Sequence, residues 1–242
     1  MSKPALIIPS LFVSIALVLA AYIVASEVRK IKEADQVIKV VGSAKQELIS
    51  DFGILQATLS GSGQSTSTAL QSLKNQKEPL LEFLSQKGFP ESKVSFEPPF
   101  ENHLFEYDQN GRYTGEVIRY SYSQRFTVES TKVSTIQELS LELIGLVEQG
   151  VSVKVQPPQY FYQDLAEVKI AVQSLAAADA KARAVKIAKA TDTKLGPIRG
   201  ARMGVLQITP KNSNTVSDYG INDTTSIEKE ITAVVSAEFQ VR

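Results

Sequence analysis

Three observations predict an α+β fold built on a largely antiparallel sheet. Asn110-Gly111 sits between two extended arms and is the strongest hairpin signal in the chain. Helical patterns occur singly between pairs of strands instead of in strict β–α–β alternation. The closing segment, residues 230–242, alternates with Ile231, Ala233, Val235, Ala237, Phe239 and Val241 on one face and polar residues on most of the other. The predicted order is ββαββαβαββ, preceded by one N-terminal transmembrane helix. Its two halves, ββαββ and αβαββ, hint at a duplicated unit, although no residue-level repeat accompanies it.

The N-terminal run, residues 5–25, carries no charge. A cleavable signal has an apolar core of about 7–15 residues, whereas about 20 apolar residues cross a bilayer. The length therefore favours a retained anchor, although Ala25-Ser26 would serve as a cleavage site. Pro9 lies in the first turns, where its missing N–H costs least, and Tyr22 falls near the far interface. The expected division is a signal-anchor over 1–26, a polar stem over 27–36 and a folded body over 37–242. Arg29, Lys30 and Lys32 follow the run, and charge alone would put the body in the cytoplasm.

The body reads in order. Residues 36–48 and 49–63 are two strand candidates, the second ended by Gly61 and Gly63. Leu70, Leu73, Leu80, Leu81 and Leu84 give a helix stopped by Gly88, with a kink or break expected at Pro79. On the returning arm of the hairpin, Tyr120, Tyr122, Gln124, Phe126 and Val128 share one face, opposite Arg119, Ser121, Ser123, Arg125 and Thr127. Val133, Ile136, Leu139, Leu143 and Val147 mark the next helix, with Gly150 beyond it. A short strand stops at Pro157-Pro158. The longest helix runs from about Asp164 to Ala190, its stripe being Val168, Val172, Leu175, Ala178, Ala182 and Val185. Its many alanines suit close packing against a sheet, and also a helix–helix seam. A further strand covers 194–211, and a Ser/Asn/Asp-rich loop, expected to be mobile and exposed, covers 211–225.

The composition narrows the function. Lys+Arg and Asp+Glu both total 26, so there is no overall basic field and no nucleic-acid partner is expected. Cysteine is absent, which removes disulfides, thiolate nucleophiles and sulfur metal sites. His103 is the single histidine, with Glu101, Glu106 and Asp108 nearby. In an extended arm His103 and Glu101 share a face and Glu106 takes the other, a wet hairpin surface more than a metal or acid–base site. The stretch "GSGQST" at 61–66 lacks the third glycine of a dinucleotide loop and reads as a strand end followed by a helix cap. Tyr107, Tyr113, Tyr120 and Tyr122, and the run Tyr160-Phe161-Tyr162, suit cross-strand packing or a subunit contact better than ligand stacking. Lys181, Arg183, Lys186, Lys189 and Lys194 make one helix basic. Asn222-Asp223-Thr224 has the form of a glycosylation acceptor, without meaning in a bacterial cell.

The stretch "AAADAKARAVKIAKATDTKLGPI" (176–198) resembles the signature helix of the SIMPL domain family of bacterial envelope proteins. The matching steps are Asp179-Ala180-Lys181, Arg183-Ala184, Ile187-Ala188 and Leu195-Gly196. The opening "IKVVGSAKQELISDFGILQATLS" is similar to the family's Val-x-Gly strand and the strand after it. Ala44, Asp192 and Pro79 depart from the pattern locally. The resemblance covers about residues 37–242. It implies an exported α+β domain that self-associates into rings or channel-like assemblies and is loosely tied to oxidative-stress tolerance. It carries no active site.

The expectation is thus an inner-membrane, single-pass protein anchored through residues 5–25, with its body in the periplasm. It is expected to be homo-oligomeric and structural or stress-related, and not an enzyme, with no catalytic residues, metal or cofactor. Two alternatives stand beside it. One is a lipid- or anion-binding module using the basic helix. The other is a hydrolase using Glu97, Glu101, Glu106 and Asp108.

Overall fold

The computed structural model describes residues 12–26 and 36–241. Residues 12–26 form a helix, α1, whose large apolar side chains are exposed on every side, Phe12, Leu17, Val18 and Tyr22 among them. No helix among the described residues is long and apolar enough to cross a membrane. Part of the predicted span, residues 5–11, and most of the stem lie outside the described residues.

The body is α+β, as predicted, but it holds two sheets where one was expected. The first sheet contains β1 (Val37–Ile49), β8 (Leu195–Met203), β9 (Gln207–Pro210), β10 (Ile221–Asn222) and β11 (Glu228–Val241). β11 is its centre, pairing antiparallel with β1, β8 and β9. The second sheet contains β2 (Phe52–Gly63), β3 (Val94–Phe96), β4 (Phe100–Tyr107), β5 (Tyr113–Ser130), β6 (Val153–Val155) and β7 (Gln159–Phe161). There β2 lies between β5 on one side and β6 and β7 on the other. β9 and β10 make a short parallel pair.

The two opening strands do not pair with each other. Ser50 and Asp51 carry the chain from one sheet to the other, and both are held. The Ser50 amide donates to the Ile227 carbonyl at 2.9 Å, and the Asp51 amide to that of Phe161 at 2.9 Å. The second sheet is therefore one continuous segment inserted between the two ends that build the first. This partition does not follow the duplicated unit the element order hinted at.

One helix layer covers each sheet. α2 (Thr66–Gln86) packs on β2 and β5, with α3 (Val133–Glu142) beside it, and Leu55, Leu59, Leu80, Leu84, Phe126 and Ile136 form the core between them. α5 (Leu165–Ala190) packs on β1 and β11 through Val168, Val172, Ala176, Ala180, Ala184 and Ala188. At each contact a strand glycine admits the helix backbone. A methyl on Gly42 would overlap the Ala180 amide and the Ala176 carbonyl, and one on Gly61 would overlap the Leu73 amide. The outer face of the first sheet is wet and carries cross-strand ion pairs, Lys39–Glu238 and Lys45–Glu230, both at 2.7 Å.

Several expectations need correction. α2 runs through Pro79 unbroken, because Leu73, Leu80 and Leu84 bury both sides of the gap. The predicted 133–147 helix is two pieces, α3 and the short α4 (Gly145–Glu148), and Leu146 is buried in place of Val147. On α5 the buried row after Val172 is alanine at every fourth position, while Leu175, Ala178, Ala182 and Val185 are exposed. The 211–225 loop is exposed over much of its length, but its end folds inward at Asp223.

Candidate functional site

The root of the β4–β5 hairpin gathers four of the polar residues singled out in the sequence. β4 is extended, so Glu101 and His103 point the same way, and their side chains meet at 3.1 Å. Cross-strand pairing of Glu101 with Tyr122 brings in the tyrosine hydroxyl, which donates to Glu101 Oε2 at 3.2 Å. Thr66 opens α2 after the Ser65 cap and donates its hydroxyl to Glu101 Oε1 at 3.1 Å. The His103 hydrogen bond, followed by those from Thr66 and Tyr122, holds the Glu101 carboxyl below its usual range against the opposing effect of burial. Burial and the adjacent carboxylate push the Tyr122 hydroxyl up. Both Glu101 oxygens are thus occupied by donors from this chain, and the cluster fastens the hairpin to the start of α2.

The other carboxylates do not join it. Glu97 faces Arg125 at 3.4 Å, Glu106 accepts from the Thr114 hydroxyl at 2.9 Å, and Asp108 accepts the Asn110 and Arg112 amides at 2.8 Å within the turn. Gly111 takes φ +74° there, the left-handed position that closes the loop. The four carboxylates proposed for hydrolysis are spread along the ribbon. Among the described residues no group of three or more His, Cys, Asp or Glu could hold a metal ion. Tyr113 and Tyr120 continue an aromatic row, edge-on to Phe105 at 5.2 Å and to His103 at 5.1 Å. Tyr160 and Phe161 lie elsewhere, on β7.

A second polar cluster, not anticipated, lies beside the junction of the two sheets. Lys229 and Asp223 form an ion pair at 3.0 Å, with side chains only 2% and 8% exposed. Lys229 Nζ also donates to the Asp223 carbonyl at 2.7 Å. The Asp223 carboxylate further accepts from the Thr225 amide and hydroxyl, at 3.0 and 2.7 Å, and from the Ser226 hydroxyl. Burial opposes its ionisation, but these donors and Lys229 outweigh that and hold its carboxyl far below the usual range. Burial pulls Lys229 below the ordinary lysine range, with Asp223 opposing. The cluster lines a cavity of about 40 Å³ together with Tyr160, Tyr162 and Leu165. That volume suits about one water. The neighbouring Thr224 carbonyl accepts the Tyr160 amide at 2.7 Å, so the loop clamps one sheet to the other. The signal was present in the sequence: Lys229 has the same parity as the buried Ile231, Ala233 and Val235.

The basic helix is α5. Arg183 pairs with Asp179 at 2.8 Å, and Asp179 also accepts the Ser43 amide at 2.9 Å, beside Gly42. The Ser43 hydrogen bond, then Arg183 and Lys186, hold its carboxyl low. Lys181, Lys186 and Lys189 are exposed.

Two sheets each backed by a long helix, one of them inserted as a continuous segment between the two ends that build the other, define an α+β domain whose polar clusters fasten elements to one another. Residues 38–239 match the SIMPL family, described as a protein of unknown function (DUF541), and the chain belongs to that family. No curated protein matches it. Among solved structures it is similar to an amidase of the hydantoinase/carbamoylase family from Burkholderia multivorans, at 10% identity and a TM-score of 0.24, covering 51% of this chain and 30% of that one. It is likewise similar to an amidohydrolase/peptidase from Burkholderia cenocepacia, at 10% identity and a TM-score of 0.21, covering 51% and 31%. The chain spans about a third of the length of those enzymes, and similarity that low carries no argument about fold or activity.

Proposed function

We propose that the chain is a membrane-anchored, self-associating envelope protein with a structural or oxidative-stress-related role and no catalysis. The observation that supports this reading is the helix over residues 12–26. Its apolar side chains are exposed all round, a surface that water does not tolerate and lipid does. The uncharged sequence before it, back to Ala5, extends the run to the length that spans a bilayer. The body then lies on the periplasmic side, joined by the 27–36 stem. Full-length protein is expected in the membrane fraction and a chain lacking residues 1–26 in the soluble fraction. Protease added outside the inner membrane is expected to digest the body. Full-length protein that washes off with carbonate, or a body that resists external protease, rejects the anchor or its orientation respectively.

The exposed lysines of α5 favour a second reading, a module for anionic lipid headgroups. Binding of the soluble body to vesicles containing phosphatidylglycerol should then fall steeply as salt rises. Binding that is absent, or indifferent to salt, removes it.

A further inference from the structure

The outward face of α5 carries an unbroken apolar row. Ala171, Leu175, Ala178, Ala182 and Val185 follow one another at steps of four, three, four and three, the spacing of a helix–helix seam. All five are exposed, Leu175 at 54% and Val185 at 47%. They lie opposite the valine and alanine row that seats α5 on its sheet, so the helix is apolar on two faces and covered on one. Three of the five are alanines, which let a second helix backbone come close.

The charges at the ends of the row select the occupant. Glu167 stands in the first turn of α5 and Lys189 in the last. Neither takes part in an ion pair within the described chain. Ala178 is midway between Ala171 and Val185, and also midway between Glu167 and Lys189. A second α5 laid antiparallel about Ala178 therefore sets Glu167 of each copy against Lys189 of the other, twice over, with the apolar rows in register between them. A parallel arrangement would put like charges together at both ends. An acid in the first turn and a base in the last also suit the helix's own dipole, but the dipole does not call for an exposed apolar row between them.

We infer that α5 is the contact between two copies of this chain, paired antiparallel about a twofold axis through Ala178. This names the contact behind the self-association proposed above and rests on that reading. A single helix seam is smaller than the interface a stable soluble dimer needs. Tethering to one membrane would supply the local concentration that makes such a contact effective.

The native chain has no cysteine, so single cysteines report contacts without background. Full-length Ala178→Cys in membranes should cross-link to a dimer on mild oxidation, whereas Ser217→Cys, in the 211–225 loop, should not. Glu167→Lys should weaken dimerisation roughly tenfold. The exchange Glu167→Lys/Lys189→Glu should restore it, a recovery that a merely misfolded variant would not show. If native mass measurement finds oligomers while Ala178→Cys stays uncross-linked, or the charge exchange restores nothing, the α5 contact is wrong and self-association stands. If the full-length protein is monomeric throughout, both fall.

Discussion

At the scale of single residues, the two long helices are placed by what is missing from the strands beneath them. Gly42 leaves the space that the Ala176–Ala180 backbone fills, and the adjacent Ser43 amide is taken by Asp179. The Asp-Ala step and the strand glycine, far apart in sequence, are thus two sides of one contact. Gly42→Ala is expected to cost about 1–3 kcal/mol in urea unfolding, through displacement of α5. The Asp223–Lys229 pair acts differently, since removing one partner strands the other's charge. Asp223→Ala should cost about 3–5 kcal/mol, and Asp223→Ala/Lys229→Met should recover much of it. Its pH signature has a definite sign. A carboxyl held below its unfolded value contributes stability that is complete above about pH 4 and declines on acidification through the lower folded value. The native protein should therefore lose more stability below pH 4 than Asp223→Asn does, as followed by thermal melts.

At the scale of elements, most of what the sequence promised is present, and the misses share a cause. The Asn-Gly hairpin, the Asp164 start of the long helix and the alternation of the final strand are local signals, and all three appear where expected. The buried face of α5 was not legible, because alanine is nearly neutral and the larger Leu175 and Val185 point away from the sheet. Periodicity weighs residues by hydrophobicity, while burial here was decided by how closely the backbone could approach. Pro79 misled in the opposite direction. A missing hydrogen bond to the Asn75 carbonyl weakens α2, but the packed leucines on either side keep the helix continuous. Pro79→Ala should accordingly stabilise the protein by about 1–3 kcal/mol, measured by chemical denaturation. Of the polar sites, Glu101 with His103 was readable from strand parity alone. The contribution of Thr66 was not, because it depends on where α2 begins relative to the hairpin.

At the scale of the whole molecule, the element order was right in outline and the division into sheets was not. Hydrogen-bond partners far apart in sequence leave no trace in local pattern. Nothing in residues 37–63 says that the first strand will pair with Glu228–Val241 and the second with Tyr113–Ser130. The central position of β11 also sets a timetable. The strand that zips together Val37–Ile49, Leu195–Met203 and Gln207–Pro210 follows all three in the chain and so is synthesised after them. A nascent chain can close the inserted sheet while Val37–Ile49 still waits, unpaired, for Glu228–Val241 to arrive. Pulsed hydrogen exchange during refolding should protect the amides of Leu55–Leu59 before those of Val40–Ala44. Until then that waiting edge is what a chaperone would have to shield.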